Sequence, residues 1–317
     1  KLLDDIWAFP APADFRAGYG QTTYFLLGLA ARAAGTYRAI FVANALAGSL
    51  LVPLLGLLAR RWTGSTLAAA GVCAIAAIHP GLARLAASED AHTIGLLFVT
   101  GGLLMLDIHL CHRQNRWALV SAMCMFLLAA WSRQTLVIFL PLAALLCLER
   151  IGLRGVLARP ALIMAAASVI MATTIHLLAF MYSGTGTHFL LGMVGYLRDH
   201  WSHMFMERHP LLDPNISPPL LAPLLFIGLV LMARFSPARI TVLVALPLLF
   251  LASSVFCAGS HQLRIMFRGP IMVLAMIPAG AGLAAVVSAA RRKGPLSAIT
   301  VGALAMAALI MGSSRGF

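Results

Sequence analysis

Runs of about 20 apolar residues recur along most of this sequence, and they limit what it can fold into. Ala91–Leu110 and Pro270–Ala290 are each long enough to cross a bilayer as one helix. The chain is 61% hydrophobic and 10% charged, whereas a soluble domain carries about 25% charged residues. We therefore predict an all-α, polytopic helical membrane protein with about nine transmembrane helices, and not a barrel.

Short polar stretches separate the apolar segments and give the order of the predicted spans. Before the first span, Gln21–Ala34 is apolar but short, as expected of a helix at the membrane surface. Gly280 and Gly282 are expected to be points of close helix packing. Ten apolar segments, several of them short, are the candidates for these about nine spans: residues 39–58, 65–78, 91–110, 117–131, 134–148, 161–182, 220–233, 240–257, 270–290 and 296–311.

Lys and Arg cluster in alternate connections, and the positive-inside rule assigns these connections to the cytoplasm. The clusters lie at residues 60–61, 113–116, 150–159, 234–239 and 291–293. The outer side then holds residues 1–38, 84–90, 133, 183–219 and 259–269. Of the ten acidic residues, only Asp107 and Glu149 fall on the cytoplasmic side, which agrees with this assignment.

We predict a single transmembrane domain over residues 1–317. Residues 1–38 form a first outer loop with an interfacial helix, and residues 183–219 form a long outer loop. Because residue 1 falls on the outer side, a first transmembrane helix is expected upstream of Lys1.

The polar stretch HPGLARLAASED, His79–Asp90, carries the candidate chemistry. It is predicted to end one membrane helix, break, and start the next. Arg84, Glu89 and Asp90 would lie at the mouth of a span, where ionisable groups are costly and usually functional. The alternative is a helix N-terminus that carries acids because they interact favourably with the helix dipole, with Ser88 as its N-cap.

Asp4 and Asp5 form a second acidic pair on the predicted outer side. Two acidic sites facing one outer vestibule suit acid–base chemistry on a sugar, where a carboxylate removes a proton from the acceptor. The alternative is a solvated loop near a terminus. We expect the vestibule to be a groove between residues 1–38 and 84–90.

Four arginines fall at predicted outer helix ends and are candidates for binding phosphate, which suits the planar guanidinium. They are Arg84, Arg133, Arg264 and Arg268. The alternative is that some of them only extend to the membrane interface.

The long outer loop contains four histidines, His188, His200, His203 and His209. No acid or cysteine completes a recognised ligand set with them, so an interfacial amphipathic helix is the better interpretation. We predict no metal and no cofactor. Nucleic acid is excluded as a partner because no Lys/Arg-rich run contains interleaved aromatic residues.

Several segments, in order, resemble motifs of the GT-C membrane glycosyltransferases, which include protein O-mannosyltransferases and lipid A aminoarabinose transferases. YGQTTYFLLGLAARAAGTYRA stands where the family has HPPL and a short helix, although GQTT replaces HPPL. HPGLARLAASED, LLAAWSRQTLVIFLPLAALL and LRIMFRGPIMVLAMIPAGAGL follow at similar spacing. The similarity covers most of residues 20–290.

The resemblance implies an inverting transferase that moves a sugar from a polyprenyl-phosphate donor to a lipid, glycan or protein acceptor. It implies a catalytic acid at Asp4 or Asp5, a second acidic site at Glu89 and Asp90, and a phosphate contact at Arg264 or Arg268. The implied location is the cell envelope, in the bacterial inner membrane with the active site outside. The remaining partners would be membrane lipids.

The rival hypothesis is a non-enzymatic membrane protein, either a lipid-carrier transporter or a GT-C-like scaffold. A transporter should show inverted repeats and broken mid-membrane helices. The sequence indicates neither feature.

Overall fold

The computed structural model describes residues 21–88, 92–112, 115–132, 136, 139–182, 217–244 and 261–314. Regular structure in these ranges is helical and includes no strand, so the all-α prediction is confirmed. Residues 239–244 are helical. The other helices are α1 (Gln21–Ala34), α2 (Arg38–Thr63), α3 (Thr66–Ile78), α4 (Pro80–Ala86), α5 (His92–Cys111), α6 (Arg116–Ser132), α7 (Leu140–Leu157), α8 (Pro160–Tyr182), α9 (Leu221–Phe235), α10 (His261–Arg291) and α11 (Pro295–Ser314).

Four helices of the described ranges are long and apolar enough to cross a membrane by themselves. They are α2, α5, the Met272–Arg291 part of α10 and the Pro295–Gly312 part of α11. Two bent helix pairs raise the number to six if each pair is one span. The described ranges therefore agree with a polytopic membrane protein, but they do not confirm the predicted number of about nine transmembrane helices.

Local sequence signals explain where several helices begin. Ser65 accepts a hydrogen bond from the Ala68 N–H at 3.1 Å and caps α3. The side-chain oxygen of Asn115 accepts from the Ala118 N–H at 3.1 Å, at the first turn of α6. Pro160 and Pro295 begin α8 and α11, where the missing N–H of proline is no loss.

The helix pairs α3–α4 and α7–α8 are broken, with bends of 62° and 110°. At the first bend His79 is extended, as expected of a residue before proline. Residues 80–86 are thus a short helix, and the predicted polar break over residues 84–90 is wrong for residues 84–86. The second predicted break, residues 259–269, is wrong from His261 onward because α10 already begins there. The expectation that no helix would be broken is also wrong.

The chain divides into two compact units. Unit 1 consists of residues 1–47 and 86–205, and unit 2 consists of residues 48–85 and 206–317. Two compact units can be parts of one domain, so the single transmembrane domain stays a prediction.

In unit 1, α1, α2 and α5 share an apolar core. Leu27, Ala31, Ile40, Ala47 and Ile94 are its buried members. Side chains from three helices thus meet at the first turn of α5, and their packing holds that turn in place.

In unit 2, α10 packs against α3 and α9 through glycine. A Cβ on Gly228 would collide with the backbone carbonyl of Pro278, and one on Gly282 would collide with the backbone of Leu224. A Cβ on Gly71 would lie 3.0 Å from the Gly280 carbonyl oxygen. The prediction of close packing at Gly280 and Gly282 is therefore confirmed.

The bend between α3 and α4 is held by a buried polar chain in unit 2. His79 is fully buried, and its Nδ1 accepts from the Leu82 N–H at 3.4 Å. The proton of the neutral ring then lies on Nε2, which faces Ser217 Oγ at 3.4 Å. Ser217 Oγ in turn donates to Met272 Sδ at 3.2 Å. His79 thus stabilises the bend, because its side chain caps the first turn of α4.

Candidate functional site

The first turn of α5 follows the predicted acidic site directly. Ser88 lies in a bend, and the helix begins at His92. Residue 91 lies outside the described residues, so the alternative in which Ser88 is the N-cap stays a prediction. Glu89 and Asp90 lie outside the described residues.

Asn44 of α2 holds the chain immediately before the acids. Its Nδ2 donates to the Ser88 carbonyl oxygen at 2.7 Å, and the side chain is fully buried. A buried amide is costly unless it is hydrogen-bonded, so this contact specifies one position for the Ser88 backbone. Sequence analysis missed Asn44, although a lone amide in the apolar run FVANALAG was a usable signal.

Two polar side chains of the first turn of α5 are also buried. His92 has 0% and Thr93 has 2% of its surface exposed. Thr93 Oγ1 has no hydrogen-bond partner within the ranges that the structure describes. With Asn44 and Ser88, these residues make a polar layer directly above the apolar core of unit 1. We call this group, Asn44, Ser88, His92 and Thr93, the polar layer.

The other predicted site residues are distributed over both units. Arg84 is half-buried in the last turn of α4, in unit 2. Arg264 and Arg268 lie four residues apart, about one turn, near the start of α10 in unit 2. The side chains of Arg264 and Arg268 lie outside the description. The described residues also do not include Asp4, Asp5, Arg133 or the four histidines of the long loop. The predicted groove and the phosphate contacts stay predictions.

A buried ion pair near the other end of α5 was not predicted. Arg150 of α7 donates to Asp107 Oδ1 from Nε at 2.9 Å and from Nη2 at 2.6 Å. The Asp107 side chain is fully buried and that of Arg150 is 13% exposed. Sequence analysis assigned both residues to the cytoplasmic side but did not pair them.

Within the described ranges, no group of three or more His, Cys, Asp or Glu side chains could hold a metal ion. The polar layer supplies an amide, a hydroxyl and an imidazole in its buried side chains, all of which can make hydrogen bonds.

No protein-family model and no curated protein matches the sequence. Solved structures of two glycosyltransferases are among those similar to it. Apo ArnT from Cupriavidus metallidurans superposes with a TM-score of 0.64 at 14% identity, over 98% of this chain and 69% of that one. The oligosaccharyltransferase of Archaeoglobus fulgidus, tethered to an acceptor peptide, superposes with a TM-score of 0.60 at 12% identity. That match covers 99% of this chain and half, 50%, of the oligosaccharyltransferase.

Both similar proteins are glycosyltransferases of one fold class, the GT-C fold. Likeness at this level of identity is evidence of architecture, since one fold can host several functions. The resemblance inferred from the ordered motifs is confirmed to this extent: the chain has the GT-C fold.

Proposed function

We propose that this protein is a membrane glycosyltransferase of the inverting type. It moves a sugar from a polyprenyl-phosphate donor to a lipid, glycan or protein acceptor. The GT-C fold supports a glycosyltransferase in general, and the resemblance of the ordered motifs supports the lipid-linked donor.

The observation that carries the proposal is the hydrogen bond from Asn44 to the Ser88 carbonyl oxygen. It fixes the backbone one residue before Glu89, at the start of a membrane helix whose first turn buries His92 and Thr93. If Glu89 and Asp90 only interacted with the helix dipole in solvent, the helix would gain nothing from the buried polar side chains around its start. A carboxylate that must meet a substrate within hydrogen-bond reach does need such positioning.

In the proposed reaction, Glu89 or Asp90 accepts the proton of the acceptor hydroxyl. The hydroxyl oxygen forms a bond to the anomeric carbon of the sugar. The bond from that carbon to the phosphate oxygen breaks, and its electron pair leaves with the polyprenyl phosphate. Attack opposite the leaving group inverts the anomeric centre. Asp4 and Asp5, where the resemblance implies the catalytic acid, are proposed as the other acidic site of the same vestibule and as the alternative base.

Arginine is proposed to bind the phosphate that departs with a growing negative charge. Arg264 and Arg268 are the first candidates, because one turn of α10 separates them and both can approach one phosphate. Arg84 and Arg133 are further candidates.

The proposed reaction takes place on the outer face of the bacterial inner membrane. The polar layer lies at the start of α5, whereas the basic residues Arg116, Arg150 and Arg159 follow its other end along the chain. Basic residues favour the cytoplasmic side, so the start of α5 is assigned to the outer side.

Conservative amides test the site. Purified protein is assayed for release of undecaprenyl phosphate from undecaprenyl-phosphate mannose, glucose and aminoarabinose, supplied one at a time with a membrane extract as acceptor. Glu89→Gln and Asp90→Asn keep size and hydrogen bonding but remove the charge. We expect at least one of them to lower the rate by roughly a hundredfold or more, with normal expression.

Glu149→Gln is the matched control, since it removes one carboxylate far from the polar layer, and it should release product at the wild-type rate. Wild-type rates in both Glu89→Gln and Asp90→Asn would reject these acids as the catalytic site. A wild-type protein that bound these donors but released no undecaprenyl phosphate would instead favour the lipid-carrier transporter or scaffold.

A further inference from the structure

Unit 1 contains a basic cavity at the corner between α7 and α8. Its volume is 390 Å³, and it is lined by Arg150, Ile151, Gly155, Ala158 and Arg159. The corner turns through 110°. Gly152 interrupts the helical geometry of α7 five residues before that helix ends. Its φ is +67°, and residues with a side chain rarely adopt this backbone conformation. The local sequence thus builds a recess that carries two guanidinium groups.

An apolar cavity of 340 Å³ lies between α6, α7 and α8 of the same unit. Side chains that line it include Ala122 and Phe126 of α6, Ala143 and Cys147 of α7, and Leu162 and Ala165 of α8. Its walls expose almost no polar atoms, so the cavity suits hydrocarbon better than water.

The two cavities adjoin along both helices. Cys147 lines the apolar cavity, and Arg150 and Ile151, three and four residues later, line the basic one. Arg159, immediately before α8, lines the basic cavity, and Leu162 of α8, three residues later, lines the apolar one. A single amphiphilic molecule can therefore occupy both.

The buried ion pair prepares the charged half of this site. Asp107 binds the Nε and Nη2 groups of Arg150 and so fixes the orientation of its guanidinium plane. A guanidinium has five N–H donors, and these two bonds use two of them. Asp107 neutralises one of the two arginine charges, so Arg159 adds a net positive charge at the mouth of the recess.

We propose that this pair of cavities binds an anionic glycerophospholipid, with its phosphate at Arg150 and Arg159 and one acyl chain in the apolar cavity. The surrounding bilayer supplies this ligand, and basic recesses between membrane helices bind anionic head groups. The charge of +13 on the chain as a whole also favours an anionic lipid over a zwitterionic one.

This lipid site is separate from the proposed transfer site. Asp107 lies 15 residues along α5 from His92, a rise of about 22 Å. Binding of a resident lipid therefore does not depend on whether the protein transfers sugar, and the test below needs no donor.

The full chain, purified in neutral detergent and stripped of lipid, is titrated with dioleoyl phosphatidylglycerol or dioleoyl phosphatidylcholine while Tm is followed. Phosphatidylglycerol should raise Tm to a plateau, and phosphatidylcholine should not. Arg159→Gln should weaken the apparent affinity for phosphatidylglycerol about fivefold, while Arg159→Lys should retain most of it. Ala165→Phe should weaken it too, because the ring would fill the apolar cavity.

Arg292→Gln is the matched control, since it removes an exposed arginine of unit 2. It should leave the affinity unchanged. The proposal is overturned if both lipids raise Tm alike, or if Arg159→Gln and Arg292→Gln have the same effect. It is also overturned if undecaprenyl phosphate raises Tm and phosphatidylglycerol does not. If Ala165→Phe does not fold, the Arg159 variants decide the outcome.

Discussion

The two compact units of this membrane protein use their interior differently. In unit 2, helix backbones touch at Gly71, Gly228, Gly280 and Gly282, and a cavity of 240 Å³ is lined by residues of α3, α9 and α10. In unit 1, helices α5 to α8 line an apolar cavity, α5 and α7 share a buried ion pair, and the polar layer lies on α2 and at the start of α5.

This difference indicates which unit can carry chemistry. Glycine contacts bring helices close together in a membrane and make a rigid scaffold. Buried polar groups and cavities lower stability, and proteins keep them where a ligand or a reaction needs them. We therefore expect changes at the polar layer of unit 1 to act on function, and changes at the glycine contacts and the helix cap of unit 2 to act on stability alone.

The largest effect is expected at the ion pair of unit 1. Asp107→Ala leaves the Arg150 charge buried without its carboxylate and should lower the free energy of unfolding by about 4 kcal/mol. The double variant Asp107→Leu/Arg150→Met should lower it by less than about 1 kcal/mol, because no charge is left unpaired. Denaturant unfolding in detergent micelles measures both. Equal losses in the two variants would show that the pair is not effectively buried.

A somewhat smaller loss is expected at the glycine contacts of unit 2. Gly228→Ala puts a methyl group against the Pro278 carbonyl, so α9 and α10 must separate, and the free energy of unfolding should fall by about 3 kcal/mol. Gly302→Ala is the control, because its Cβ would meet only Val287 at 3.8 Å. The free energy of unfolding of that variant should rise by about 0.5 kcal/mol, because alanine favours a helix more than glycine does. The same sign for both would reject the close-packed description of unit 2.

Substitution of Asn44 tests its contribution to stability and its contribution to catalysis in one experiment. Asn44→Ala should lower the free energy of unfolding by about 1 kcal/mol. It should also lower kcat for sugar transfer about tenfold with KM for the donor nearly unchanged, because a misplaced base slows the chemical step. Asn115→Ala, which removes the side-chain hydrogen bond at the start of α6, should cost similar stability and leave kcat unchanged. Equal kcat values in the two variants would mean that Asn44 is structural.

The smallest effect is expected at a helix cap of unit 2. Ser65→Ala removes the acceptor for the Ala68 N–H and should lower the free energy of unfolding by about 0.5 kcal/mol. Ser65→Asp should restore it, since aspartate caps equally well. Neither variant should change the transfer rate, and a change in that rate would contradict the division of roles between the units.

The helices were largely predictable from sequence because their signals are local. Gln21–Ala34 is a helix with the predicted bounds, and the apolar runs of α5 and α8 end within a residue or two of prediction. Residues 84–86 and 261–269 were misjudged as parts of breaks because they lie beside or among polar residues. A helix tolerates polar side chains when the surrounding fold gives them partners, and sequence alone does not reveal those partners.

The polar contacts were the least predictable part, because they join residues far apart in the chain. Asp107 and Arg150 are separated by 43 positions, and Ser217 and His79 by 138. Asn44 gave a signal as an amide in an apolar run, but its partner is a backbone carbonyl 44 residues away, which no side-chain pattern encodes. Glu89 and Asp90 remain the predicted catalytic site.

The contact between Gly71 and Gly280 has a consequence for biosynthesis. Gly71 leaves the ribosome about 10 to 40 s before Gly280 does, at ordinary rates of synthesis. During that interval the glycine face of α3 lacks the helix that it is shaped to receive. Unit 2 is therefore completed late, and its early segment depends on the insertion machinery or on lipid to shield a surface built for close contact. A ribosome stalled before residue 261 would hold α3 in this unfinished state.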